Sequence, residues 1–545
     1  MSFRLLAAFL ALVLLVWWFT TGPTLPSLVP GTNPGEHTPP PDTASPAETV
    51  WQPRPETLTE DLARHARALS ERAYVAPSWN VPDRLAELDF DGYRSIRFRP
   101  AASVWRDEGM FEVQLFHLGG AYDTPVSIHF VEGDSIREQR YDPALFSFEG
   151  AASEVGDLPS GSVPAFAGFR VHYPLNAPER SDEVAAFLGA SYFRILGAGH
   201  QYGLSARGLA IDPATDGPEE FPDFKAFWIT RPEDGSRTLT VHALLDGPSV
   251  VGAYRFELRP GASTELMVDA HLFGRRDVSK LGVAPLSSMF LHAPGHGPRH
   301  DDFRPRVHDS DGLQMLTGRG EWIWRPLSNG PGFHVTSLRD EDPSGFGLFQ
   351  RARDFEDYLD LEARYDRRPS YWVEVIDGDW GTGGVELMEI PTPSEFNDNI
   401  AAYWVPDRPL AAGEERRYAY RLSTHDARPP ELDLAHVERT AVGRDALPGE
   451  GEPSPPGHRR FVVDFVGGVL TDLGEEDDVR PDLSLLRGSA EGVTVQPLPG
   501  NTGRRVTFTL IPDGDEPADM RLRLLLDDRS VSETWSYVWY PRDMN

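Results

Sequence analysis

No cysteine occurs anywhere in the 545 residues, which excludes disulfides, thiolate-held zinc and thiol nucleophiles. Lysine is almost as scarce, confined to Lys225 and Lys280, so the positive charge is carried by arginine. Positive charge as a whole is in deficit: 52 Lys and Arg stand against 84 Asp and Glu, for a formal net charge of −32. Such a chain repels a phosphate backbone, and nucleic acid is excluded as a partner. A G-x-S-x-G elbow is missing, which removes the commonest α/β-hydrolase signature. GAGHQYG (Gly197–Gly203) comes near a dinucleotide fingerprint, but its last glycine is one residue late and no Rossmann pattern follows. Metal motifs fail on spacing. His292, His296 and His300 are separated by Pro and Gly that forbid a helix, and Asp309-Ser-Asp311-Gly312 lacks the later ligands of a calcium loop. Neither a metal nor a cofactor is expected.

What is present points to β-structure. Gly 50 and Pro 49 imply many turns, and 40% apolar residues are enough for packed interiors. The length calls for more than one domain. After Arg4 comes an apolar run, Leu5–Phe19, between a signal-peptide core and a membrane span in length. Residues 1–22 are therefore an export signal or a retained anchor, and residues 23–56, rich in Pro, Thr, Gly and Ser, are a linker. A helix is predicted next, with Thr57 and Glu60 at capping-box spacing and Leu58, Leu62, Ala66, Leu69 and Ala73 on one face. Short alternating segments follow, among them Phe111–Leu118, Val126–Val131, Thr238–Leu245 and Tyr254–Leu258, each bounded by turn residues. They lack a βαβ rhythm and predict an antiparallel sandwich over 57–424. After a Pro-rich break, Phe461–Leu470, Val506–Pro512, Met520–Asp528 and Glu533–Tyr540 predict a smaller immunoglobulin-like sandwich within 425–545.

The run His300–Pro406 concentrates Asp, Arg, Trp and Tyr between Gly and Pro turns. Sugar C–H faces stack on aromatic rings, hydroxyls bond to Asp and Arg, and paired carboxylates can cut a glycosidic bond. Ordinary strand and turn residues of an acidic β-protein would give the same composition.

Longer stretches carry a resemblance. FLGASYFRILGAGHQYGLSARGLAID (Phe187–Asp212), KLGVAPLSSMF (Lys280–Phe290), RPRVHDSDGL, GEWIWRPL, GFGLFQRARDF, ARYDRRPS, VELMEIPT and NDNIAAYW resemble the periplasmic glucan-biosynthesis proteins (OpgG/OpgD, also MdoG/MdoD). The resemblance extends from about residue 57 to the terminal ETWSY. It implies an all-β fold, with a large N-terminal supersandwich of mutarotase-like type and a C-terminal immunoglobulin-like sandwich. It also implies a role in making osmoregulated glucans with a β-1,2-linked backbone. Some members look like inverting endo-β-1,2-glucanases; the alternative is a non-catalytic glucan-binding accessory for backbone processing or branching. On that likeness Asp398 of NDN is the general acid, Asp309 of HDSDG the base, and Tyr365 of RYD belongs to the same site. His308 and Asp311 are then neighbours that tune the base. Trp324, Arg325, Arg351, Trp372 and Trp380 are candidates for glucose subsites, although core packing is as good an account of each tryptophan. The expected location is the periplasm, with an inner-membrane tether if the N-terminal segment is kept. The expected partners are β-1,2-glucan and a second copy in a homodimer.

Overall fold

Strands in which apolar residues alternate with polar ones bury one face, and most of this chain is written that way. The computed structural model describes residues 51, 53–76, 81–156, 158, 161, 163–295, 301–445, 455, 457–474 and 477–541. The apolar run Leu5–Phe19 and nearly all of the expected linker lie outside them. Among the described residues no helix is long and apolar enough to cross a membrane.

Two large sheets organise the chain, one of ten strands and one of fifteen, both largely antiparallel; the first and eleven strands of the second form the N-terminal body. Their facing sides interleave. Phe169 of the smaller sheet meets Phe227 of the larger at 5.1 Å, and Phe187 meets Phe256 at 5.3 Å. One continuous core of fully buried Phe, Val, Leu and Ile fills the space between, the layered arrangement expected of a sandwich. A parallel pair interrupts the larger sheet, with Asp223–Thr230 running beside Ser127–Glu132.

The helix Leu58–Ser70 lies on the outer face of the larger sheet. Leu58, Leu62 and Ala66 pack on Trp228, Leu244, Val251, Ala253 and Phe273; fully burying one leucine there is worth about 1.5–3 kcal/mol. The helix departs from the expected ends in two ways. It stops at Ser70, short of Ala73. The Thr57 hydroxyl gives no cap and instead donates to Asp61 at 3.0 Å, because Asp61 offers a charged acceptor one turn on. The expected linker also ends early: Trp51 stacks on His65 at 4.1 Å and meets Trp228 edge-on at 5.5 Å, so packing begins before residue 57.

The C-terminal part is a two-layer sandwich. His436–Arg444, Arg459–Val466, Gly503–Ile511 and Ser489–Pro497 make one sheet, in that order. Opposite lie Arg480–Leu485, Ala518–Leu526 and Thr534–Trp539, with Phe461, Val463, Phe508, Leu522 and Trp535 between the layers. Where one long strand Phe461–Leu470 was expected, the strand ends at Val466. Gly467 and Gly468 take positive φ and turn the chain into a short 3-10 segment, Gly468–Thr471. The sandwich does not hang free. Thr534–Trp539 pairs in parallel with Trp322–Pro326, so its second layer is the end of the fifteen-stranded sheet.

Candidate functional site

A cleft of about 610 Å³ opens on one side of the ten-stranded sheet, and Asp309, Tyr365 and Asp398 all line it. The three reach the cleft by separate local devices. Val307–His308 pairs with Phe290–His292, and the residues that follow are fastened one at a time. The Asp309 amide donates to the Met289 carbonyl at 2.8 Å, and Ser310 bonds Ser288 at 2.9 Å. Asp398 stands just before the strand Ile400–Pro406, and its neighbour Asn399 sets it in place. Asn399 Oδ1 accepts from the Phe290 amide at 2.8 Å, while Nδ2 donates to the carbonyls of Phe290 and Ile390 at 3.0 and 3.1 Å. The strand Phe290–His292 is thus shared by both carboxylate segments. Tyr365 opens a 3-10 turn, Tyr365–Arg367, entered through Arg364 at φ +45° and braced by the Arg364–Asp366 ion pair.

Around these residues the cleft alternates charges. Arg368 donates to Asp309 in a buried ion pair, and its guanidinium lies over the Tyr365 ring, 4.0 Å from the centroid. The Tyr365 hydroxyl donates to Glu395 at 2.5 Å. Glu395 in turn receives Arg304, which also bonds Asp302 and Asp360 at 2.8 and 2.9 Å. The opposite wall is the sheet itself, where Glu183 accepts from Tyr202 at 2.8 Å and from Arg170 at 3.0 Å. Tyr93 and Tyr122 stack at 4.6 Å along the same wall. Phe303 and Phe396, both well exposed, stand at the mouth.

Burial pushes the Asp398 carboxyl up to about 6, with Asp309 adding to the rise and Arg194 and Arg368 opposing it. Burial also lifts Asp309 above the usual carboxylate range, against the pull of Arg368. The Tyr365 phenol is held well above its ordinary value, chiefly by burial, so it stays a neutral donor. Asp309 thus raises Asp398 within one cleft, and the better candidate acid is the carboxyl raised to about 6.

The remaining expected site residues sit elsewhere. His308 is fully buried behind Asp309, its ring stacked on Phe290 at 5.4 Å and edge-on to Tyr358 at 5.3 Å. Asp311 is half-buried under the same segment and accepts from the Arg351 amide at 3.1–3.2 Å. Trp324 and Trp372 belong to the core shared with the C-terminal sandwich, because alternation along their strands points them to the face that sandwich covers. Arg351 stacks on Trp324, 3.5 Å from the ring centroid, and pairs with Glu533. Arg325 is buried between Glu389 at 3.1 Å and the Tyr537 ring at 5.3 Å. Trp380 packs in the main core beside Tyr418, its indole donating to the Asp377 carbonyl at 3.0 Å. None of these five faces the cleft, which corrects the expectation that they form glucose subsites.

Arg304, Arg368 and Glu395, which do face it, escaped the reading of individual residues, although the first two lie inside the quoted stretches RPRVHDSDGL and ARYDRRPS and Glu395 stands just before NDNIAAYW. Their signal was position, within five residues of an expected catalytic group. GAGHQYG also acquires a role. A Cβ on Gly203 would lie 2.9 Å from the Arg368 side chain, and the Gln201 amide donates to the Arg367 carbonyl at 3.0 Å. The glycine lets this segment pass close against the arginine that holds Asp309.

A double β-sandwich whose larger half carries an acidic, aromatic cleft, in which Asp309 raises the Asp398 carboxyl, defines the class by fold and site. Comparison with known proteins narrows the class. Residues 58–539 match the family described as periplasmic glucan biosynthesis protein, MdoG. Proteins named Glucans biosynthesis protein G are similar over most of their length. One from Vibrio cholerae is 45% identical over 88% of this chain and 86% of its own. Those from Shewanella baltica and Rhodopseudomonas palustris are 44% identical (88% and 87% covered) and 43% identical (91% and 96% covered). This chain belongs to the periplasmic glucan biosynthesis family.

Proposed function

We propose that the cleft binds the β-1,2-linked backbone of a periplasmic glucan and cleaves it internally with inversion of the anomeric centre. The observation that carries this reading is the pair Asp398 and Asp309, two carboxyls that line one cleft with Tyr365, the charge of Asp309 raising Asp398. Inversion needs a protonated carboxyl at the leaving oxygen and a carboxylate that activates water on the other face of the sugar. Asp398, raised to about 6, supplies the first. Asp309 supplies the second, with Arg368 favouring its ionised form against the pull of burial. Tyr365, neutral and anchored on Glu395, orients substrate or passes a proton. The alternating arginines and carboxylates suit a neutral polyhydroxylated chain, which offers donors and acceptors but no charge.

One feature favours the binding-only alternative: the Asp309 carboxylate is already engaged by Arg368 and must share it with a water in order to act. Incubation with linear β-1,2-glucan separates the two. Hydrolysis predicts oligosaccharides whose new reducing ends are first α, and predicts that Asp398→Asn releases none while still binding glucan. Binding by the wild-type protein with no new reducing ends would refute the hydrolase and leave the accessory role. Near-normal turnover by Asp398→Asn would refute the assignment of the acid.

A further inference from the structure

The cleft lies wholly in the N-terminal body, which leaves the C-terminal sandwich without a task. Its contacts suggest one. Glu533, two residues before the end of ETW and fully buried, is the hub of the joint. One carboxylate oxygen accepts from the Val437 amide and from Arg351, both at 2.7 Å; the other accepts from Arg351 at 2.9 Å and from Gln314 at 3.1 Å. Arg351 donates back to Gln314 at 2.7 Å. The guanidinium is therefore clamped between Glu533, Gln314 and the face of Trp324.

The backbone on either side of that guanidinium runs to the cleft. The Arg351 amide donates to the Asp311 carboxylate, and the Asp311 amide donates to the Phe349 carbonyl at 2.8 Å, two residues from the candidate base. Gln350, between them, is fully buried and its side-chain amide donates to the carbonyl of Tyr365. Three consecutive residues, Phe349 to Arg351, thus hold the Asp309 segment, the Tyr365 turn and Glu533 of the other domain at once.

We propose that the C-terminal sandwich is a positioning element for the cleft, acting through Glu533 and Arg351 on the segments that carry Asp309 and Tyr365, and is not a separable module. The claim that this serves turnover rests on the hydrolase reading above; the claim that it orders the two segments does not. Glu533 and Arg351 are positioning residues, since neither reaches the cleft.

The test compares Glu533→Gln with Asp464→Asn in the full-length protein. Asp464 forms an ion pair with Arg505 inside the C-terminal sandwich, so its loss weakens that domain without touching the joint. Gln314→Leu, a milder cut into the same network, serves if Glu533→Gln does not fold. Hydrogen exchange should rise in segments 307–316 and 363–368 for Glu533→Gln or Gln314→Leu, and stay at the wild-type level there for Asp464→Asn. On β-1,2-glucan, kcat should fall at least tenfold for Glu533→Gln with KM within about twofold, and change little for Asp464→Asn. Equal effects of the joint and control variants, or no change in exchange in those segments, would overturn the proposal. If the wild-type protein cleaves no β-1,2-glucan, the hydrolase reading fails on its own, and the exchange comparison still decides whether the sandwich orders the cleft.

Discussion

Replacing Asp398 by asparagine should make the protein more stable at pH 8 while removing its proposed activity. A carboxyl raised from 3.8 to about 6 keeps its proton longer in the folded chain than in the unfolded one. Between those two pH values the native state binds more protons, so stability falls as pH rises through that window and the penalty is complete above about 6. Two units correspond to a ceiling of about 3 kcal/mol. Because Asp398 is only partly buried by its neighbours, solvent screening reduces this to about 1–2 kcal/mol. At pH 4 about a fifth of the penalty remains. Asparagine has nearly the same shape and no charge, so it removes the penalty. Thermal melts should therefore show Asp398→Asn above wild type by about 2–4 °C at pH 8, with the gap closing towards pH 4. In parallel, release of reducing sugar should fall by about 10²–10⁴, the usual worth of a general acid. An asparagine variant less stable than wild type at pH 8, or one whose advantage is the same at both pH values, would refute the picture of a strained carboxyl facing Asp309.

The other predictions probe the surroundings. If Asp398 is the acid, kcat/KM of the wild type on β-1,2-glucan should drop about tenfold per pH unit above about 6, and a flat profile between pH 6 and 8 would contradict it. Arg368→Met leaves Asp309 buried without its cation; unfolding by denaturant at pH 8 should show a loss of about 3–5 kcal/mol, largely relieved by a second change, Asp309→Asn. Trp372→Ala should cost about 3–5 kcal/mol of stability because the ring lies in the core between the domains. Phe303→Ala and Phe396→Ala should leave the melting temperature alone and weaken glucan binding in calorimetry, since both rings are exposed at the cleft mouth. The reverse pattern would restore Trp372 as a sugar platform.

Much of the fold was legible because alternation is a local property. Leu239–Asp246 and Gly503–Ile511 announce themselves by which residues recur at every second position. Strand partners are not local. Nothing in ETWSYVWY says that it will pair in parallel with GEWIWRPL and so join the two sandwiches into one sheet. The tryptophans of GEWIWRPL show what that omission does. By chemistry Trp324 and its neighbour Arg325 suit sugar as well as they suit a core, and only the covering sandwich decides between them. The three residues assigned to catalysis share the cleft, whereas the five offered as glucose subsites lie away from it, Trp324, Arg325, Trp372 and Trp380 buried and Arg351 paired with Glu533.

That division has a physical basis. A residue type becomes a site only through what holds it, and the holding groups here are backbone amides and single side chains remote in sequence: Asn399 on Phe290, Gln350 on Tyr365, Arg368 on Asp309. Each such bond is worth about 1 kcal/mol, more where a charge takes part, too little to leave a periodic pattern but enough to set a carboxyl's position. Segments that must satisfy many of these bonds at once admit few substitutions, so the site is written as unbroken words such as HDSDG and NDN rather than as a rhythm. Glu533 follows the same logic from the far end of the chain: ETWSY is such a word, and it fastens Arg351 behind the segment that carries Asp309. Where a word of this kind lies far from any cleft, the group it fastens is the place to look for its function.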